Sequence, residues 1–204
     1  MGALTLTALL ERTAWWFDVV SDSLQQTFLA AGSAIALGAE CLVDALVHDR
    51  KLLVCGNGGS AANAQAFVSL MLNRYQRERP ALPALLLTPD LASFSAIVGE
   101  YSFADVYARS VRAFGKPGDV LLCLSATGQA SNVLQAIEAA HDRAMPVLAI
   151  TGYDGGDIIR MLHEGDISVH APLHQHALVH ASHLTILHCL AHLIDEQLFG
   201  VDDA

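Results

Sequence analysis

The chain is short of positive charge. It has 11 Lys and Arg against 21 Asp and Glu, for a formal charge of −10 over 204 residues. Nucleic-acid binders neutralise backbone phosphates with clustered Lys and Arg. This balance excludes that class and leaves room only for a small pocket taking one phosphate. Charge of either sign is sparse, at 16% against 53% hydrophobic residues, which is too apolar for a disordered chain. No CxxC pair is present. Cys41, Cys55, Cys123 and Cys189 are scattered and read as reduced, buried thiols of a cytoplasmic protein. The amino terminus lacks a basic targeting segment, and Glu11-Arg12 interrupts it early. No charge-free apolar run reaches the ~20 residues of a membrane span. Phe28 to Val47 comes nearest, with Glu40 and Asp44 inside it. That stretch is expected to be a buried amphipathic helix, with no membrane contact.

What is present alternates in texture. Residues 1–50 are rich in Ala and Leu, contain no proline, and read as a helical arm of the same domain or of an oligomer interface. From Lys51, short apolar runs alternate with helical patterns. Strands are expected at 52–55, 84–88, 119–125, 146–151 and 167–170. Helices are expected to about Arg74, near Phe114 and Arg143, and from about Leu173 to Leu198. Such alternation predicts βαβ units and a parallel sheet with helices on both faces. Ligands of such sheets bind at the carboxyl ends of the strands, where strand order reverses.

Two loops suit an anion. Gly56-Asn57-Gly58-Gly59-Ser60 follows a strand and opens a helix. Glycines let the backbone approach a ligand closely, and a helix N-terminus offers N–H groups and partial positive charge. Ser125-Ala-Thr127-Gly-Gln-Ala-Ser131 does the same with three hydroxyls. Each loop alone is equally an ordinary capped turn. Together, at one sheet edge, they suit a sugar phosphate.

The runs Cys55-Gly-Asn-Gly-Gly-Ser-Ala-Ala-Asn-Ala-Gln65, Leu72-Asn-Arg-Tyr-Gln-Arg-Glu-Arg-Pro80, Gly118-Asp-Val-Leu-Leu122, Ile150-Thr-Gly-Tyr-Asp-Gly-Gly156 and Leu193-Ile-Asp-Glu-Gln-Leu-Phe199 resemble the phosphoheptose isomerase family of SIS domains. That family includes the DnaA initiator-associating branch. The resemblance implies a three-layer α/β/α sandwich around a five-stranded parallel sheet, with a helical arm over 1–50, a SIS domain over 51–200, and a homotetramer. It assigns Asn57, Gly58, Gly59, Ser60, Arg74, Ser125, Thr127 and Ser131 to phosphosugar binding.

The resemblance also marks departures. The family's metal-binding His falls at Ala66 and its catalytic Glu at Leu70. Its Gln on the last helix falls at His180, and its catalytic His is kept at His188. His180 and His188 remain as candidate zinc ligands, although a catalytic zinc typically takes three protein ligands. No cofactor is expected, with zinc the one candidate. Asp90 and Glu100 fall in strand-end regions within reach of the site, and nothing in the sequence places them there. Seven of ten histidines fall between His170 and His192. His176, His180, His188 and His192 share one helical face, with His183 offset. They read as neutral packing residues or as a relocated metal site. Leu198 and Phe199 match positions that, in the initiator-associating branch, look like contacts for DnaA.

Three readings result. The first is a phosphosugar-binding regulatory module without isomerase activity, with a DnaA-type initiator as partner. The second is a working sedoheptulose-7-phosphate isomerase with a rebuilt metal site. The third is a phosphosugar sensor with another partner. Ala66 and Leu70 favour the first and third.

Overall fold

The computed structural model describes residues 4–88 and 90–201. Residues 1–3 of the expected arm lie outside them. The five expected strands are present as β1 (Leu52–Gly56), β2 (Ala84–Leu86), β3 (Val120–Ser125), β4 (Val147–Thr151) and β5 (Ile167–His170). They form one sheet in the order β2-β1-β3-β4-β5, parallel throughout. Every residue of β1, β3 and β4 is buried, as the continuous apolar runs require of a sheet covered on both faces.

The strand side chains alternate between two cores. Leu52, Val54, Leu122 and Leu124 face a layer made by α1 (Leu6–Val47), α2 (Gly59–Leu72) and α7 (His176–Phe199). Leu53, Cys55, Leu121 and Cys123 face the opposite layer. There α4 (Asp105–Phe114) and α5 (Ser131–Asp142) pack, joined by α3 (Leu91–Glu100) and the short α6 (Gly156–Met161). The single helical region expected after β2 is thus two helices, broken between Glu100 and Asp105. α6 was not foreseen, because its six residues carry no full helical period.

The arm is one helix of 42 residues, about 63 Å long. Thr5 caps it, its hydroxyl accepting from the Ala8 N–H at 3.3 Å. Its carboxyl-terminal half buries Thr27, Ala31, Ile35, Ala39 and Leu42, one face at helical spacing, against α7 and β5. Among the described residues nothing before Ser23 is buried. α1 and α7 are both long and apolar enough to cross a membrane by length and composition. Each instead contributes a stripe to the same core. The thiols correct one expectation: Cys55 and Cys123 are buried, but Cys41 is half-buried and Cys189 exposed. All four are free.

The end of α2 is held by one buried cation. Helix carboxyl ends leave carbonyls unpaired and carry partial negative charge. The Arg79 guanidinium donates to the carbonyls of Leu70 at 2.8 Å and Met71 at 3.1 Å. Its Nε donates to Asp195 Oδ1 of α7 at 2.7 Å. The Arg79 side chain is 0% exposed and that of Asp195 6%. Removing one partner of such a pair strands the other charge away from water, at about 3–5 kcal/mol. Arg79→Ala is therefore expected to lose stability of that order in urea denaturation. A loss below about 1 kcal/mol would mean that the pair does not join α2 to α7.

Candidate functional site

Strand order reverses between β1 and β3. The crossover after β1 runs to the α1/α2/α7 layer, and the one after β3 to the α4/α5 layer. A crevice must open where such neighbouring chains part. It is there as a cleft of ≈ 290 Å³. The first loop lines it with Asn57, Gly58, Gly59 and Ser60, and the second with Ser125, Ala126 and Thr127. Two histidines of α7, His176 and His180, complete the wall.

The starts of three helices meet at this cleft. Gly59 and Ser60 open α2, Ala130 is the residue before α5, and His176 opens α7. None of the three has a side-chain cap. No Lys or Arg lines the cleft. Its attraction for an anion comes from backbone N–H groups and helix dipoles.

Close packing fixes both loops. A Cβ on Gly59 would lie 2.7 Å from His180 Nε2, so the bare backbone there lets α7 come against the first loop. Gly128 has φ +69, and a Cβ on it would lie 1.9 Å from the Gly155 carbonyl oxygen. The Ile158 N–H in turn donates to the Gly128 carbonyl at 3.0 Å. The loop after β4 thus braces the loop after β3. Ser125 Oγ accepts from the Gly128 N–H at 3.0 Å and keeps its own O–H to donate.

Three expected site residues lie elsewhere. Arg74 follows the far end of α2, about 21 Å along the helix from its start. It is exposed and paired with Glu78 at 2.9 Å. Ser131 is exposed, and Ala130 takes the place facing the cleft. His188 lies two turns from His180, about 12 Å away along α7, with its ring 5.8 Å from that of Tyr75. One chain does not bring His180 and His188 to a common ion. Among the described residues of one chain no group of three His, Cys, Asp or Glu is arranged to hold a metal. Asp90 caps α3, accepting from the Ser93 N–H at 3.0 Å, and Glu100 is exposed at that helix's end. Ala66 and Leu70 are half-buried on α2, and Leu70 packs on the core. Leu198 and Phe199 pack half-buried on the same core.

The histidines divide by depth. His176 is exposed and His180 half-buried, their rings 6.1 Å apart. Burial, and secondly His176, hold His180 below the ordinary histidine range. His183 is fully buried, with its ring against the Thr151 backbone. Burial pushes its pKa down to about 4.

Known proteins share this arrangement. The SIS domain family matches residues 15–152. A phosphoheptose isomerase of Chromohalobacter salexigens is 46% identical over 166 residues, covering 81% of this chain and 84% of that one. One from Thiobacillus denitrificans is 43% identical over 193 residues, covering 95% and 98%. The solved structure of a phosphoheptose isomerase from Francisella tularensis superposes with a TM-score of 0.87 at 38% identity, covering 92% of this chain and 98% of that one.

His183 gives a test by pH. Its folded value lies below the ~6.5 of an unfolded histidine. Between pH 6.5 and about 4 the unfolded chain takes up a proton that the folded one refuses. Stability is therefore full above pH 6.5 and falls as pH drops through that window, by roughly 3 kcal/mol from this group. In urea denaturation His183→Leu is expected to lose less stability than wild type between pH 6.5 and 4.5. Equal losses would contradict a neutral buried ring.

Proposed function

The chain belongs to the SIS-domain family, in its phosphoheptose isomerase branch, and from that premise we propose that it binds a sugar phosphate in the cleft between the β1 and β3 loops without interconverting it. One observation carries the binding reading. Ser60, Ser125 and Thr127 converge with three uncapped helix starts on one crevice. That combination suits a phosphate dianion with a polyhydroxylated chain attached.

Turnover divides the readings. The names of the relatives favour an active isomerase, at 43% and 46% identity, and on the comparisons alone that reading is the better supported. The cleft of this chain supports the other. An aldose–ketose isomerisation moves a proton between adjacent carbons and needs a base held over them. The lining side chains include two imidazoles and no carboxylate. The positions to which the resemblance assigns the family's His and Glu hold Ala66 and Leu70. Within one chain, the titratable side chains lining the cleft are His176 and His180.

Self-association fits the surface. Leu9, Leu10, Trp15 and Phe17 of α1 are exposed, and α3 buries none of its apolar residues. Exposed apolar groups on this scale mark contact surfaces, which supports the homotetramer implied by the resemblance. Core packing accounts for Leu198 and Phe199 without an initiator partner. The four free thiols agree with a reducing, cytoplasmic setting.

Two measurements test this. Sedoheptulose 7-phosphate is expected to turn over at least ~10²-fold more slowly than with the Thiobacillus denitrificans relative assayed in parallel, with or without zinc. Comparable rates would establish the isomerase reading. Separately, Ser60→Ala with Ser125→Ala is expected to shrink the rise in melting temperature that sedoheptulose 7-phosphate gives wild type. An undiminished rise would remove the ligand from this cleft.

A further inference from the structure

The two loops that line the cleft come from different strands and lead into helices on opposite faces of the sheet, yet one pair of side chains joins them. Asn57 Nδ2 donates to Asn132 Oδ1 at 2.8 Å, and Asn132 Nδ2 donates back to Asn57 Oδ1 at 2.9 Å. Asn132 lies in the first turn of α5 and is 1% exposed. The Tyr107 hydroxyl, from α4, reaches the same Asn57 Oδ1 at 3.1 Å and also donates to the Gly56 carbonyl. Tyr107 is buried against the core of that face.

A side-chain amide has two acceptor lone pairs and two N–H donors. Asn57 has one lone pair and one N–H engaged by Asn132, and its Oδ1 shares the single Tyr107 proton with the Gly56 carbonyl. At most one N–H is left for a ligand. Its side chain therefore acts chiefly on the protein. It fastens the Gly58–Ser60 backbone to the start of α5 and, through Tyr107, to α4. Asn132 and Tyr107 do not line the cleft.

We propose that Asn132 and Tyr107 are positioning residues for anion binding. Together with Asn57 they form a clasp that holds the glycine loop at a fixed separation from the Ser125–Thr127 loop. The cradle is thereby formed before the ligand arrives. Without the clasp, a segment with three glycines in four residues must be ordered at each binding event, and preorganisation is lost as affinity. The inference rests on the phosphosugar reading of the cleft and adds the device that sets its affinity.

The test uses full-length wild type, Asn132→Ala, Tyr107→Phe, Asn57→Ala, and the Asn57→Ala/Asn132→Ala double variant. Tyr107→Phe removes only the hydroxyl and keeps the ring in its core, so it serves if Asn132→Ala does not fold. Inorganic phosphate and sedoheptulose 7-phosphate are titrated by calorimetry. Amide hydrogen exchange is followed in ligand-free protein. Asn132→Ala and Tyr107→Phe are expected to weaken both ligands about tenfold or more, although neither residue touches the cleft. Exchange is expected to rise in residues 57–60 and 126–130 and nowhere else. The double variant is expected to bind no more weakly than the weaker single one, because either end alone opens the clasp. Unchanged affinity with only a lowered melting temperature would reduce the pair to a packing role and overturn the proposal. If wild type binds neither probe, the phosphosugar reading falls. The clasp is then judged by exchange alone, and unchanged protection of both loops would overturn it.

Discussion

The reversal of strand order between β1 and β3 governs the rest of the molecule. Parallel strands that share an edge but send their crossovers to opposite faces cannot close the gap between their outgoing loops. The gap is then floored by strand ends and rimmed by helix starts. In this chain the start of α7 joins those of α2 and α5 at the rim. The result is a local concentration of N–H groups in a protein of formal charge −10. Anion binding here needs no cationic side chain. It does need loops that approach closely, which explains why bare backbone meets a ring at Gly59 and another backbone at Gly128.

That division sets what the amino-acid sequence reveals. Strands buried on both faces carry their own signature in four or five consecutive apolar residues, as β1, β3 and β4 do. Glycine-rich turns between a strand and a helix are equally local, so Asn57 to Ser60, Ser125 and Thr127 are found together at the cleft. Local spacing fails where geometry depends on helix length. Arg74 belongs to the next matching run after the glycine loop, and the fourteen residues of α2 place it at the other end of that helix. His180 and His188 share a helical face, but two turns part them. Asn132 and Tyr107 left no signal, because their partner Asn57 is 75 and 50 residues away. Arg79 was hidden in the same way: its role appears only once α7 brings Asp195 beside the end of α2.

The cleft and the core draw on the same helix. α7 gives its first two turns to the ligand wall and its remainder to packing against α1 and α2. His180 and His183, three residues apart, show the change from one environment to the other. The first lines the cleft with burial lowering its pKa, and the second is sealed beneath it, its pKa pushed down further by deeper burial. The same helix also touches the arm: a Cβ on Gly38 of α1 would lie 3.6 Å from the Leu190 side chain of α7.

Binding and turnover depend on different parts of the chain, and that difference explains how close relatives can diverge. The anion cradle is largely backbone: N–H groups, glycine conformations and dipoles persist under most substitutions that keep the fold. Proton transfer depends on the identity of one or two side chains held over particular carbons. A hydrocarbon side chain at Leu70 suits the fold, because it finds apolar neighbours in the α1/α2/α7 core. A carboxylate in that place would need solvent or a partner to stay charged. Identity of 43% to 46% with named isomerases therefore carries the family across. A proton shuttle rests on one or two side chains, which such a percentage does not weigh. Under the proposed reading the positions that decide turnover in this chain are Ala66 and Leu70.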